Sequence, residues 1–243
     1  RHRTLDLVRM AENARCSAIV ITVDSPVFGF RSVDSRNGLR SLPYGLNYEH
    51  YHEASHRAAF EGDGGGMDDN IESIFAPNVT WTDIAEIVQR ITLPVIIKGI
   101  LHPEDAVLAA KAGARAVFVS NHGGRQYGSA PSALRMLPLC RKALNSSGFE
   151  EVRLLLDGGV RCGDDVLKAV ALGADGVGIA RAVMYALAVD GSNGVQKVIQ
   201  LLRADVQRGM RLLGCSSVND LRSLSIIHTE QNHIQLHNFH NKL

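Results

Sequence analysis

Short apolar runs recur along the chain, and each is bounded by glycine or aspartate. The runs are continuous rather than alternating in hydrophobicity, which is typical of parallel β-strands covered on both faces. We predict strands at AIVITVD (18–24), PVIIKGI (94–100), AVFVSNHG (116–123), VRLLLDGG (152–159) and GVGIARA (176–182). Segments with helical periodicity separate them, as in HPEDAVLAAKAGA (102–114) and GDDVLKAVALGA (163–174).

Two segments of the chain also resemble each other. AAKAGARAVFVS (109–120) and AVALGADGVGIA (169–180) align as copies of one helix, a glycine turn and a strand, which indicates a repeated βα unit. Strands that alternate with helices predict an α/β fold, either a (β/α)8 TIM barrel or an open doubly wound sheet.

Polar residues at the carboxyl ends of consecutive strands favour the barrel. They are Thr22 and Asp24, Lys98, His122 and Arg125, Asp157, and Arg181. A barrel builds its active site from the βα loops on one face, so such residues converge there. About five βα units are visible where a closed barrel has eight, so we predict a TIM barrel truncated to about its last five units. Either the sequence is part of a longer chain, or about three N-terminal units are missing.

Length and composition favour one globular domain with a small-molecule partner. The chain has 243 residues, 45% of them hydrophobic and 21% charged, and a formal net charge of +1. No broad basic surface is indicated, so we expect neither a nucleic acid nor a membrane as partner, and a homo-oligomer is left open. Four cysteines without a CxxC pair predict buried free thiols in a cytoplasmic protein. The C-terminal Asn-Lys-Leu is only loosely similar to the peroxisomal Ser-Lys-Leu signal, and a peroxisomal or mitochondrial location is left open.

Two segments do not follow the alternation of strands and helices. Residues 38–79 hold aromatic residues, histidines and a Gly-Asp cluster, and a loop this long is usually a functional lid or disordered. Residues 224–243 hold four of the ten histidines but no HExxH motif, so we expect a flexible tail and no metal site. The domain itself is predicted to cover residues 1–223.

The late strand ends indicate an anion site. In DGGVRCGDD (157–165) the glycines Gly158 and Gly159 let backbone N–H groups approach an anion, and Arg161 and Arg181 could add bidentate contacts. The alternative is a plain βα turn with solvated arginines. Neither GxGxxG nor GxxxxGK[ST] is present, so a dinucleotide-binding turn and a P-loop are not indicated.

SNHGGRQ (120–126) combines a base with an anion anchor. His122 could remove a proton if a carboxylate orients it, and Asp24 is the candidate. Arg125 and Arg31 could hold a substrate carboxylate. Lys98 needs an anionic neighbour, which could be a core carboxylate or a flavin whose reduced ring it would stabilise.

Together these motifs, with TWTDIAEIV and GVQKVIQLLRADVQRGMRLLGC, resemble the FMN-dependent α-hydroxy acid dehydrogenase/oxidase family, which includes glycolate oxidase, lactate oxidase, mandelate dehydrogenase and flavocytochrome b2. The resemblance implies FMN as cofactor and oxidation of a small L-2-hydroxy acid to the 2-oxo acid. It implies that His122 is the base, that Asp24 stabilises its imidazolium, and that Arg31 and Arg125, together with His122, bind the substrate. The implied FMN-binding residues are Thr22, Lys98, Ser120, Asp157, Gly158, Gly159, Arg161, Ala180 and Arg181.

The resemblance has two departures. The phosphate turn is Ala180-Arg181-Ala182 where the family has Gly-Arg-Pro, which adds a Cβ where the backbone approaches the phosphate. The match also begins at the helix after the family's third strand, so we expect the first three strands to be missing. Two alternatives stay open: a truncated non-enzymatic remnant of the family, and another FMN- or phosphate-binding TIM barrel such as type 2 isopentenyl-diphosphate isomerase or inosine-monophosphate dehydrogenase.

Overall fold

A computed structural model describes residues 2–27, 29–30, 32–37, 78–224, 226–230 and 233–237. Arg31 and nearly all of the predicted lid at 38–79 lie outside the described residues. No helix in the described ranges is both long enough and apolar enough to cross a membrane.

Five parallel strands form one sheet in the order in which they occur along the chain. They are β1 (Ile19–Thr22), β2 (Val95–Ile100), β3 (Ala116–Val119), β4 (Arg153–Leu156) and β5 (Gly176–Val177). A doubly wound sheet reverses its strand order at a switch point, and this sheet does not. The α/β class and the partial barrel predicted from the sequence are therefore confirmed.

Helices follow the strands as the periodicity predicts. They are α1 (His2–Asn13), α2 (Ser32–Arg36), α3 (Trp81–Val88), α4 (Pro103–Lys111), α5 (Ala133–Ser146), α6 (Gly163–Ala171), α7 (Arg181–Leu212) and α8 (Val218–Arg222). Pro103 at the first position of α4 and the acids Glu104 and Asp105 after it suit a helix N-terminus. Within α7 the backbone leaves helical geometry at Asp190 and Gly191.

The two faces of the sheet differ in burial. Ile97, Val117 and Leu154 lie side by side in the register, are fully buried, and join one core cluster with residues of α4 and α5. The opposite face carries a second row, which is only half-buried or exposed. That row runs through Thr22, Lys98, Phe118, Leu155 and Gly176. In a barrel this second face lines the interior, so the lysine predicted to lie at a strand end points to the barrel interior.

The sheet has two open edges in the part of the chain that the structure describes. Among the described strands, β1 pairs only with β2, and β5 pairs only with β4. Beside β1, an apolar groove runs between Thr4, Leu7 and Val8 of α1 and the strand itself. Five strands thus form an arc rather than a closed barrel.

An ion cluster around Asp175 lies just before β5, at the amino edge of the sheet. Its carboxylate accepts hydrogen bonds from the Arg141 and Arg222 guanidinium groups, both at 2.7 Å, and from Leu154 N–H at 2.8 Å. Arg153 adds a contact of 3.2 Å. This edge is opposite to the one that carries the predicted site residues. The ion cluster therefore stabilises the fold and is not part of the candidate site.

Two further sequence predictions concern the cysteines and the tail. All four cysteines are free, and Cys140 and Cys215 are buried as expected. Cys162 is only half-buried, and Cys16 is exposed because it lies in the loop after α1. Two antiparallel strands, β6 (Ile226–Glu230) and β7 (His233–His237), lie within the segment predicted to be a tail. The domain boundary at residue 223 stays a prediction.

Candidate active site

His122 and Asp24 form a hydrogen-bonded pair at the carboxyl edge of the sheet. Nδ1 of His122 lies 3.0 Å from Oδ1 and 3.2 Å from Oδ2 of Asp24. The Asp24 side chain is 14% exposed and that of His122 is 33% exposed, so the imidazole remains accessible to a small molecule. A carboxylate on Nδ1 favours the tautomer with its proton there, which leaves Nε2 free to accept a proton.

A strained turn presents this histidine. The predicted strand at 116–123 ends at Val119, and His122 begins a short 3-10 turn, His122–Gly124. The backbone of His122 is left-handed, with φ of 57°, a conformation that costs a non-glycine residue about 1 to 3 kcal/mol. Its N–H donates a hydrogen bond of 3.0 Å to Oγ of Ser120, which is fully buried. Ser120 therefore helps to hold the turn in this conformation.

Gly99, a residue that sequence reasoning misses, allows Asp24 to reach its position. Its φ is +101°, and a Cβ at this position would lie 2.5 Å from Cγ of Asp24. Such a distance is well inside van der Waals contact, so only glycine fits. The available signal is its place directly after Lys98 at a strand end, but the close approach is visible only in three dimensions.

Lys98 links Ser120, which holds the histidine turn, to Asp157 on the barrel interior. Its Nζ lies 3.2 Å from Oγ of Ser120 and 3.4 Å from Oδ2 of Asp157, and 5.8 Å from the centre of the Phe118 ring. The other carboxylate oxygen of Asp157, Oδ1, is buried and has no hydrogen-bond partner within the described part of the chain. A buried acceptor of this kind is costly unless a donor reaches it.

The turn after β4 is shaped for close approach of a ligand to the backbone. Gly158 and Gly159 both have positive φ, +93° and +78°. A Cβ on Gly158 would lie 3.1 Å from Oδ1 of Asn121, whereas a Cβ on Gly159 would meet nothing within 4 Å. Open space beside Gly159 leaves its backbone accessible to an anion.

The N-terminus of α6 already has carboxylate partners. Asp165 accepts hydrogen bonds from Arg161 N–H at 2.9 Å and Cys162 N–H at 3.2 Å, and Asp205 accepts one from Gly163 N–H at 2.8 Å. Burial alone would raise the pKa of Asp165, but these hydrogen bonds outweigh it and hold the pKa below its ordinary value. An anion at the glycine turn would therefore not use the N-terminus of α6.

The N-terminus of α7 differs from that of α6. Its N-cap, Ala180, has no side-chain oxygen and makes no capping hydrogen bond. The first residue of the helix, Arg181, is exposed and donates a hydrogen bond of 3.1 Å from Nη2 to the carbonyl of Gly123. The loops after β3 and β5 thus meet directly beside His122.

Three other predicted residues are less closely tied to this cluster. Thr22 is exposed and lies opposite Lys98 in the register of β1 and β2. Arg125 is exposed and follows the histidine turn, its N–H donating to the carbonyl of His122 at 3.3 Å. The side chain of Arg161 is exposed at the glycine turn.

Comparison with known proteins places these features in context. A family model described as FMN-dependent dehydrogenase matches residues 1–228. The chain is 44% identical to a 4-hydroxymandelate oxidase of Amycolatopsis orientalis, over 92% of this chain and 61% of that protein. It is 38% identical to a 2-hydroxyacid oxidase of Dictyostelium discoideum, over 95% of this chain and 57% of that protein. The chain thus spans about three-fifths of the length of these relatives.

Solved structures agree with the sequence comparison. A crystal structure of mandelate oxidase with (S)-4-hydroxymandelic acid superposes with a TM-score of 0.82 at 42% identity. The match covers 91% of this chain and 61% of the other. The five-stranded arc therefore corresponds to part of a known barrel.

Proposed function

This chain belongs to the family of FMN-dependent dehydrogenases, and on that premise we propose that it carries out the FMN-dependent oxidation of a small L-2-hydroxy acid to the 2-oxo acid, with His122 as the base. Its relatives include 2-hydroxy acid oxidases, which makes this reaction class the natural assignment. The observation that carries the proposal is the His122–Asp24 pair, since a general base needs a partner that orients it.

The proposed chemistry begins with a proton. Oxidation of a 2-hydroxy acid removes the α-hydrogen and the hydroxyl hydrogen together with two electrons. His122 Nε2 accepts one of these hydrogens as a proton, either from the α-carbon or from the hydroxyl group. Asp24 stabilises the resulting imidazolium through Nδ1–H, because opposite charges at 3.0 Å favour the charged ring. Arg125, which is exposed beside His122, would hold the substrate carboxylate together with Arg31.

FMN fits the residues that lie around this pair. When bound, FMN supplies the acceptor for the two electrons. Buried Asp157 Oδ1, which lacks a partner in the described ranges, would accept a hydrogen bond from a ribityl hydroxyl. Lys98 Nζ would offer positive charge to the ring, and Ser120 and Thr22 lie on neighbouring strand ends. Gly158, Gly159, Arg161, Ala180 and Arg181 would surround the phosphate.

Reconstitution tests this function directly. The purified chain, incubated with FMN and desalted, should stay yellow, and its visible flavin absorbance should bleach on anaerobic mixing with L-lactate, glycolate or L-mandelate. The D-enantiomers of lactate and mandelate provide matched controls. Bound FMN that no L-2-hydroxy acid reduces would overturn the oxidase assignment. A colourless, folded protein would instead support the alternative of a non-enzymatic family member.

A further inference from the structure

Gln126 ties the loop after β1 to the loop after β3. Its Nε2 donates to the carbonyls of Asp24 at 2.9 Å and Val27 at 3.1 Å, while its Oε1 accepts from Gly29 N–H at 3.3 Å. A primary amide has two N–H donors and one carbonyl, so both donors and the acceptor each have a backbone partner. The partners lie 102, 99 and 97 positions away in sequence, respectively.

The backbones of the two loops are also in close contact. A Cβ on Gly29 would lie 2.2 Å from the carbonyl oxygen of Arg125 and 2.7 Å from Cα of Gln126. Gly29 itself is buried. Side-chain hydrogen bonds and backbone packing therefore hold the same two segments together.

The loop after β3 holds Asp24 through both its side chain and its backbone. Its carboxylate contacts Nδ1 of His122, and its backbone carbonyl accepts a hydrogen bond from Gln126, four residues further along the same loop. A fixed backbone carbonyl also fixes the position of the Asp24 Cα, from which the carboxylate side chain extends. Without this contact, the carboxylate would be held only by the imidazole and by a hydrogen bond of 3.3 Å from the neighbouring Ser25 hydroxyl.

We infer that Gln126 is a positioning residue that holds Asp24 in the orientation required by His122. This role rests on the proposed function, since it matters for catalysis only if His122 is the base. Gln126 contacts the backbone of Asp24 rather than its carboxylate. Its effect on the base is therefore indirect, through the place and angle at which Asp24 meets Nδ1–H.

The test observes the Nδ1–H proton of His122 in protein labelled with 15N-histidine. A hydrogen bond to a carboxylate shifts this proton downfield and protects it from exchange with water. His122→Gln assigns the signal by removing it. Gln126→Glu keeps the side-chain shape but turns an oxygen toward two carbonyls, and Gln126→Met keeps the length without hydrogen bonds. We expect both to speed exchange of this proton by about tenfold, the effect of losing one net hydrogen bond.

Three further variants keep the test decisive. Gly29→Ala separates the same loops without altering Gln126, so it should produce the same change even if a Gln126 variant folds poorly. Gln200→Glu and Gln200→Met on the exposed surface of α7 are matched controls and should leave the signal unchanged. Wild-type shift and exchange in folded Gln126→Glu, Gln126→Met and Gly29→Ala would overturn the positioning role.

Asp24→Asn separates this inference from the proposed function. If Asp24→Asn removes the protected signal while the Gln126 variants keep it, the hydrogen bond between Asp24 and His122 is supported. The positioning role of Gln126 is then overturned. If Asp24→Asn leaves the signal unchanged, the pair does not form in solution, and both the base assignment and the positioning role are overturned.

Discussion

Asp24 and His122 follow different strands and are 98 positions apart in the sequence, yet their side chains meet at 3.0 Å. Two independent features make this contact feasible. Gly99 leaves room for the carboxylate, and the left-handed backbone of His122 turns the imidazole toward it. The pair is therefore a product of the barrel scaffold rather than of local sequence.

Replacing the carboxylate tests the pair in catalysis. Asp24→Asn should lower kcat by about a hundredfold or more, because the amide can favour the wrong imidazole tautomer and does not stabilise the charged ring. Stopped-flow reduction of the FMN-loaded protein measures the rate. Asp6→Asn changes an exposed carboxylate on α1 and should leave the rate unchanged. A rate within a fewfold of wild type in Asp24→Asn would contradict the assignment.

Gly99→Ala should affect both stability and rate. The new Cβ meets Asp24 at 2.5 Å, and φ of +101° is strained for alanine, so we expect a loss of about 1 to 3 kcal/mol in the free energy of unfolding and a fall in kcat. Gly148→Ala is the matched control, since it has φ of +77° but nothing within 4 Å of its Cβ. In the control, urea unfolding should show the loss of stability caused by backbone strain. The rate of flavin reduction in the control should stay unchanged. Equal effects of the two variants on kcat would argue against a steric role.

Asp157→Ala should weaken FMN binding. The variant removes the buried acceptor Oδ1 and the partner that lies 3.4 Å from Lys98 Nζ, so we expect the Kd for FMN to rise by about tenfold or more. Quenching of flavin fluorescence measures this Kd. Asp164→Ala, at an exposed position in the first turn of α6, should not change it. An unaltered Kd in Asp157→Ala would remove Asp157 from the cofactor site.

Asp175 makes stability depend on pH. Burial alone would raise the pKa of this carboxyl, but the hydrogen bond from Leu154 N–H and the neighbouring arginines outweigh it and hold the pKa below its ordinary value of 3.8. Because the folded state depresses the pKa, this stabilisation is present above about pH 4 and is lost as the pH falls below it.

Asp175→Asn measures that contribution. At neutral pH the variant leaves three arginines facing an uncharged amide, and because two of them are partly exposed we expect a loss of about 1 to 2 kcal/mol in the free energy of unfolding. Urea unfolding at neutral pH and at about pH 3 compares the two proteins. The difference between them should shrink at the lower pH, and a difference that stays constant would show that the carboxylate charge is not responsible.

Cys140 and Cys16 should differ in reactivity. Burial raises the pKa of the Cys140 thiol to about 12, so it stays protonated and enclosed, whereas Cys16 is exposed. A thiol reagent at neutral pH should label Cys16 rapidly and Cys140 only after unfolding. Mass spectrometry of native and urea-treated protein identifies the labelled residue. Rapid labelling of native Cys140 would contradict the burial.

Sequence reasoning locates the strands because continuous apolar runs, alternating with helical segments, are typical of a covered parallel sheet. It extends them too far at their carboxyl ends, since Ser120 to Gly123 leave the strand for a left-handed turn. It anticipates the pairing of Asp24 with His122, because parallel strand ends meet at one edge. Gly99 and Gln126 escape it, since their roles depend on which backbones approach each other.

The neighbour-to-neighbour strand order bears on folding kinetics. From β2 to β5 each strand joins its partner across a single βα unit, so these pairings close short loops and can form early. β1 is separated from β2 by the long connection 23–94, and loop-closure entropy grows with that length. We therefore expect β1 to dock after β2 to β5 have paired, which makes the meeting of Asp24 with His122 a late event.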